Sequence, residues 1–175
     1  MKIIKQFGLV FVVAVAAILT SCSSDSSGGG GSASVGTLKA KVGGANFSSI
    51  SQAANGIIAT SGTFQNLSIF GADASGKSLS LTILAENIGV GTYQITDQAE
   101  TVVSGTYSET NINNPTETQV WSAPYDGGGN SGSIVITSKT DTNVQGTFSF
   151  TAKSITGTGN KAITNGVFNV NLTSN

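Results

Sequence analysis

The stretch Ser78-Leu79-Ser80-Leu81-Thr82-Ile83 alternates strictly between hydroxyl-bearing and aliphatic side chains. Successive side chains of a β-strand point to opposite faces, so this alternation predicts a strand with one apolar and one polar face. The same period of two recurs at residues 38–42, 134–136, 148–152 and 168–172. The sequence therefore predicts half-buried antiparallel strands from residue 36 onward.

Turn residues separate these runs at short intervals, as at Gly43-Gly44 and Asn165-Gly166. No segment after Ser21 keeps a helical period for three turns. We expect about ten strands, because one of these eleven ranges is too short to count: 36–42, 45–49, 55–61, 63–70, 78–85, 91–96, 101–107, 118–123, 132–138, 143–153 and 162–173. The predicted inward residues are Leu81, Ile83, Tyr93, Ile134, Ile136, Phe148, Phe150, Phe168 and Val170. The predicted fold is an all-β antiparallel sandwich or barrel.

A tripeptide recurs at irregular intervals, which excludes a solenoid repeat. Its copies are Gly62-Thr63-Phe64, Gly91-Thr92-Tyr93, Gly105-Thr106-Tyr107 and Gly146-Thr147-Phe148. We interpret Gly as the entry to a strand, Thr as facing outward and the aromatic residue as the first inward anchor. The alternative is that the aromatic rings form a stacking surface for a ligand.

The N-terminal sequence has the pattern of an export signal. Lys2 and Lys5 precede an apolar run over residues 7–19, which is shorter than the ~20 residues of a usual membrane span. Leu19-Thr20-Ser21-Cys22 resembles the lipobox of bacterial lipoproteins, in which the cysteine thiol is acylated, for example with palmitate, before cleavage. We therefore predict a signal peptide over residues 1–21 and lipidation of Cys22, and a retained transmembrane anchor is the alternative reading.

Residues 22–35 are rich in Ser and Gly, which predicts a flexible tether between the lipid and a single domain over residues 36–175. Ser23 after the cysteine favours the outer membrane over the inner one. An acidic patch just after the cysteine is associated with surface export in some bacterial lipoproteins, and here it is reduced to Asp25. Both the periplasmic face and the cell surface therefore stay open.

Composition excludes several function classes. From Cys22 onward the chain carries six Lys and nine acidic residues, a net charge of −3, with no Arg and no His. Scattered lysines without arginine make no electrostatic footprint for nucleic acid. The absence of His excludes every nucleophile–His arrangement and removes the commonest general base and transition-metal ligand. We expect no nucleic-acid partner, no cofactor and no metal site.

Four strand motifs carry a resemblance to a known group of proteins. They are Gly91-Thr92-Tyr93, Gly132-Ser133-Ile134-Val135-Ile136-Thr137, Gly146-Thr147-Phe148-Ser149-Phe150-Thr151-Ala152 and Ile163-Thr164-Asn165-Gly166-Val167-Phe168. Together with the lipobox, they resemble uncharacterised lipoprotein families of Bacteroidota. The resemblance implies an all-β lipoprotein domain and carries over no catalytic residues.

Three glycine-containing segments match binding motifs only in part. Residues 157–162 match the G-x-G-x-x-A dinucleotide fingerprint by letters, but a strand follows where a helix is needed, so we expect a hairpin loop. The segment from Asp141 begins like an EF-hand loop, yet Ala152 stands where a bidentate Glu is required, which predicts a tight turn. Residues 126–130 supply a single carboxylate, Asp126, and are expected to form a flexible loop.

Paired carboxylates are the one enzymatic route that the composition leaves open. The candidate acids are Asp73, Glu86, Asp97, Glu100, Glu109, Glu117, Asp126 and Asp141. Because nearly all of them lie beside turn residues, solvated loop acids are the default reading. We expect a protein that is not an enzyme, with a carboxylate-dependent hydrolase such as a glycosidase as the alternative.

The segment over residues 108–131 holds the only Trp and both prolines. Long connections in β domains often carry binding residues, and Trp121 with Tyr125 could form a platform for a sugar ring or a peptide. The alternative is an edge strand over 118–123 with Trp121 turned into the core. We expect an envelope lipoprotein held at the membrane through Cys22 that binds a glycan, peptide or protein ligand.

Overall fold

The computed structural model describes residues 33–98 and 101–174, and all of them belong to one compact unit. The strands are β1 Thr37–Val42, β2 Ala45–Ser48, β3 Asn55–Ser61, β4 Phe64–Ala72, β5 Lys77–Glu86, β6 Gly91–Thr96, β7 Val102–Glu109, β8 Gln119–Ala123, β9 Asn130–Lys139, β10 Asn143–Ser154 and β11 Asn160–Ser174. All eleven predicted ranges are therefore strands, one more than the expected ten, because even the four-residue β2 pairs with β1. The predicted signal peptide, Cys22, the tether up to residue 32 and Glu100 lie outside the described residues.

Two 3-10 turns, Ser51–Ala53 and Pro115–Glu117, complete the secondary structure of the described residues. Neither is an α-helix. Within residues 33–98 and 101–174, no helix has the length and apolar character that a membrane span requires.

The strands form one mostly antiparallel sheet in the order β2-β1-β11-β3-β4-β5-β7-β8-β10-β9-β6. Because β11 also pairs with β10, the strands β11, β3, β4, β5, β7, β8 and β10 close into a ring. The two closing contacts are short: β11 and β3 run parallel over Leu172–Ser174, and β8 meets β10 at two residue pairs. The prediction of an all-β sandwich or barrel is confirmed, and the pairing gives it a barrel-like ring.

The long strand β11 makes this closure possible. One of its edges pairs with β10, and the other pairs first with β1 and then with β3. The four-residue β2 follows β1 and contributes Phe47, whose ring meets that of Tyr107 edge to face at 6.4 Å. The β1–β2 hairpin thus adds apolar side chains to the core of the ring.

The core matches the predicted inward faces closely. Eight of the nine predicted inward residues are buried, and Tyr93 is half-buried against the same core. Phe64 departs from the prediction, since its side chain is 51% exposed. The inward positions of β4 are Leu67 and Ile69, so the strand's period of two directs the even-numbered Phe64 outward.

The glycines of the tripeptide have different roles. Gly62 and Gly91 lie at the entry to β4 and β6, as predicted. The prediction is wrong for Gly105 and Gly146, which lie inside β7 and β10. A Cβ atom on Gly105 would lie 2.5 Å from the Phe150 ring, so the absence of a side chain lets that ring pack against the β7 backbone.

The last tether residues contact β11. Asn169 is only 4% exposed, and its Nδ2 donates a hydrogen bond to the carbonyl oxygen of Ala33. Asn143 Nδ2 donates in turn to Asn169 Oδ1 at 2.9 Å. These bonds supply hydrogen-bond partners for the buried Asn169 amide. They also attach Ala33 to β11, three residues before the predicted start of the domain.

Candidate functional site

Two loops meet at one end of the ring: residues 110–118, which join β7 to β8, and residues 155–159, which join β10 to β11. The N–H of Ile155 donates to the carbonyl of Val120 at 2.9 Å, and the N–H of Val120 donates to Thr156 Oγ1 at 3.1 Å. Loops held on a rigid β scaffold commonly carry binding residues. This end of the ring is therefore the candidate site.

The conformation of the β7–β8 loop depends on Asn111. Its Oδ1 accepts the backbone N–H groups of Asn113 and Asn114 at 3.0 and 3.3 Å, which is the local turn that Asn side chains favour. Its Nδ2 donates to Glu117 Oε2 at 3.0 Å. Asn111 thus shapes the loop and positions the Glu117 carboxylate.

Two open cavities adjoin each other here because both are lined by Glu117 and Gln119. The first, of about 390 Å³, is lined by Glu109, Thr110, Asn111, Glu117 and Gln119. The second, of about 530 Å³, is lined by Thr116, Glu117, Thr118, Gln119, Ser154, Thr156, Gly157 and Thr158. We call the two together the loop groove. Apart from one glycine, every lining residue carries a hydroxyl, an amide or a carboxylate, so the groove is suited to a ligand with many hydroxyl groups.

A charged cluster lies at the inner side of the groove. Lys161 Nζ forms an ion pair with Glu109 Oε1 at 2.5 Å, and the Tyr107 hydroxyl donates to the same oxygen at 2.8 Å. The ammonium group also lies 4.1 Å from the ring centre of Trp121 and 5.1 Å from that of Tyr107, within the range of cation–π attraction.

The cluster keeps Glu109 ionised. Burial opposes its charge, but the hydrogen bonds from Lys161 and Tyr107 outweigh that effect and lower the pKa of the carboxyl. Burial, followed by the hydrogen bond to Glu109, raises the pKa of the Tyr107 hydroxyl. Glu109 is therefore an acceptor in the groove and is poorly suited to donate a proton.

The structure separates the environments of Trp121 and Tyr125. Trp121 is 5% exposed, and its ring packs at 5.8 Å on that of Tyr107, as expected if it turns into the core. Its strand is not an edge, because β8 lies between β7 and β10. Tyr125 is half-buried, with Lys153 Nζ 5.8 Å from its ring centre. The buried ring of Trp121 offers little surface for stacking, and a ligand-binding role for these two residues stays a prediction.

The three glycine-containing segments lie in turns. Residues 155–159 join β10 to β11, so the fingerprint-like segment begins in a hairpin loop as predicted. Residues 140–142 form the predicted tight turn, in which the N–H of Thr140 donates to the carbonyl of Asn143. Around Asp126, the N–H of Gly128 donates to the carbonyl of Tyr125. In the described part of the chain, no three acidic or cysteine side chains come together as metal ligands would.

Sequence reasoning missed the charged cluster. Glu109 and Glu117 were among the candidate acids, and the structure brings both to one cavity. Lys161 was not singled out, and its contact with Glu109 spans 52 residues. No sequence signal singles out this pair, because Lys77, Glu86 and Lys139 also lie at the ends of strands with buried aliphatic residues.

One of the comparisons with known proteins assigns the domain to a family. A family model described as "Domain of unknown function (DUF6252)" matches residues 36–170, which begin where the tether was predicted to end. No curated protein matches the chain, and no solved structure matches it. Because the match covers most of the chain, this protein belongs to the DUF6252 family.

Proposed function

We propose that this protein is a Bacteroidota lipoprotein, held at the outer membrane through an acylated Cys22, whose β domain binds a glycan. The anchor is supported by the basic start, the apolar run over residues 7–19 and the Leu19-Thr20-Ser21-Cys22 sequence. A lone cysteine in an exported chain has no disulfide partner, and acylation accounts for it. The Ser/Gly-rich segment that follows supplies the spacer between lipid and domain.

The loop groove is the observation that carries the binding role. Glu117, Asn111 and Gln119 place a carboxylate and two amides side by side, and hydroxyls from both loops surround them. Neighbouring hydroxyl groups of a sugar donate to carboxylate and amide oxygens and accept from amide N–H groups. This chemistry favours a glycan over an apolar ligand.

Metabolic labelling with a palmitate analogue tests the anchor. We expect the wild-type chain to incorporate the label and to sediment with membranes. Cys22→Ser should remain an unprocessed and unlabelled precursor, while Ser24→Ala, two residues away, should behave as wild type. Equal labelling of wild type and Cys22→Ser would contradict the anchor.

An oligosaccharide array with residues 31–175, the compact unit, tests the groove. We expect a bound oligosaccharide to lose affinity about tenfold in Glu117→Gln and in Asn111→Ala, since each removes a polar partner. Asp141→Asn, in a distant turn, is the control. Tyr125→Ala and Trp121→Phe on the same array test the predicted ligand contacts of the two aromatic residues. An array on which wild type binds no oligosaccharide would refute the glycan role of the groove.

A carboxylate-dependent hydrolase is the second candidate, because Glu109 and Glu117 line one cavity. Glycoside cleavage needs one protonated and one ionised carboxyl group. The lowered pKa of Glu109 fits only the ionised role, which leaves Glu117 as the acid. Turnover of aryl glycosides that is lost in both Glu109→Gln and Glu117→Gln would support this candidate, and absence of turnover by wild type would refute it.

A further inference from the structure

A broad face of the ring carries almost no charge. It consists of the outward positions of five adjacent strands: the odd-numbered residues of β3 and the even-numbered residues of β4, β5, β7 and β8. Of these twenty positions, nine carry Ser or Thr and one, Glu86 at the margin, carries a charge. We call this surface the neutral face.

The neutral face also carries exposed apolar side chains. Phe64, Phe70, Ile57 and Val102 are 51%, 40%, 43% and 58% exposed. The other exposed large hydrophobic residues of the described chain lie outside the strands. Exposed apolar groups concentrated on one face commonly mark an interaction surface.

The hydroxyl groups form rows across the strands. Ser80 is paired with Thr106 and Thr106 with Ser122, and Phe70 begins this row on β4. The hydroxyls of Thr106 and Ser122 lie 3.4 Å apart.

With neighbouring strands about 4.8 Å apart, the five strands make a surface roughly 19 Å wide. Phe64 and Phe70 lie six residues apart on one strand, so their rings are about 20 Å apart along it.

We infer that the neutral face binds an extended, uncharged polysaccharide. Apart from Glu86, which pairs with Phe64 at the margin, the face carries no charge and so matches a ligand without charge. The hydroxyl rows match the hydroxyl groups of such a ligand, and the two phenyl rings can stack on the C–H faces of its sugars. A protein partner fits less well, since protein interfaces are depleted in Ser, and Ser is the commonest residue of this face, at seven of the twenty positions. The inference rests on the proposed role as a binding module, and it adds a second surface and a ligand class.

Co-sedimentation of residues 31–175 with microcrystalline cellulose, chitin or granular starch tests the inference. We expect binding to at least one of these neutral polymers, and we expect it to persist in 1 M NaCl because no ion pair is involved. Phe64→Ala and Phe70→Ala should each weaken it about tenfold. Both rings are largely exposed, so their removal leaves the core intact. Thr106→Lys should weaken binding too, because it places a charge beneath an uncharged polymer.

The controls separate this face from the groove. Val90→Ala and Ile155→Ala remove exposed apolar side chains elsewhere and should bind as wild type. Glu117→Gln should leave co-sedimentation unchanged even where it weakens oligosaccharide binding. The inference would be overturned if polymer binding were lost in Glu117→Gln but kept in the Phe64 and Phe70 variants. That result would leave the loop groove as the binding site. Failure of wild type to bind any of the three polymers would overturn it, as would a dimer that dissociates in the phenylalanine variants.

Discussion

Lys161 Nζ lies 4.1 Å from the centre of the Trp121 ring, so an ammonium group rests on the aromatic residue that the sequence suggested as a ligand platform. The same nitrogen is paired with Glu109, which Tyr107 also contacts. Trp121 therefore takes part in a structural cluster beneath the loop groove. The cluster joins the end of β7 to the start of β11 and so ties two distant strands together.

Replacement of Lys161 by Met should lower the free energy of unfolding by about 1–2 kcal/mol. The change removes a charge-assisted hydrogen bond and a cation–π contact at a partly exposed site. Urea denaturation measures it. Lys153→Met is the matched control, since Lys153 is exposed and lies 5.8 Å from the Tyr125 ring centre, and its effect should stay below about 0.5 kcal/mol. Equal effects of the two changes would contradict this account of the cluster.

Glu109 should contribute to the pH dependence of stability. Its pKa is lowered from 4.5 in the folded state, so the folded protein favours the ionised form. That contribution is complete above the unfolded value of 4.5 and is lost as the pH falls through the lower folded value. The stability advantage of wild type over Glu109→Gln should therefore shrink in acid.

Urea midpoints between pH 7 and pH 3 measure this difference. Wild type and Glu109→Gln should converge at the acidic end. Glu109→Gln should keep some acid sensitivity through Asp73. Burial opposes the charge of Asp73, but hydrogen bonds from the backbone N–H of Lys77 and from the hydroxyl and N–H of Ser75 outweigh burial and lower its pKa. A constant gap between the two proteins at all pH values would show that Glu109 does not titrate as described.

Gly105→Ala should destabilise the fold by about 1–3 kcal/mol, as overpacking does in a filled core. The added Cβ would lie 2.5 Å from the ring of Phe150, which is itself 3% exposed. Gly91→Ala changes the same tripeptide at a position with open space around it and should cost little. Thermal melts of the two variants provide the comparison, and similar melting temperatures would argue against the close approach at Gly105.

Phe148→Ala should cost about 3–5 kcal/mol, the usual range for removing a buried phenyl ring. The ring is 3% exposed and lies 6.3 and 6.4 Å from those of Phe150 and Phe168. Thr147→Ala, one residue earlier on the outward side of β10, should have a small effect. Denaturation of both variants tests which face of β10 is buried. A larger loss of stability for Thr147→Ala than for Phe148→Ala would reverse that assignment.

The alternation of apolar and polar side chains within each segment accounts for most of the fold features that the sequence predicts. Each strand is predictable because its own residues alternate between apolar and polar. In β4, however, a single aromatic residue does not predict which face of the strand is buried. The tripeptide alone predicts that Phe64 points inward, whereas Leu67 and Ile69 decide which face of β4 is buried. The burial of a strand depends on all its inward residues together, so the whole period is a better guide than one aromatic residue.

Alternation and turn-forming residues are sufficient to predict the eleven strand ranges, most of the buried faces and the turns between them, because both act over a few neighbouring positions. The pairing of β11 with β10, β1 and β3, which closes the ring, follows from the packing of the whole chain. The same packing brings Lys161 to Glu109, gathers Glu109 and Glu117 at one groove and assembles a nearly uncharged face from five strands. Such contacts depend on strand order and register, which the packing of the whole chain selects and which no local stretch encodes.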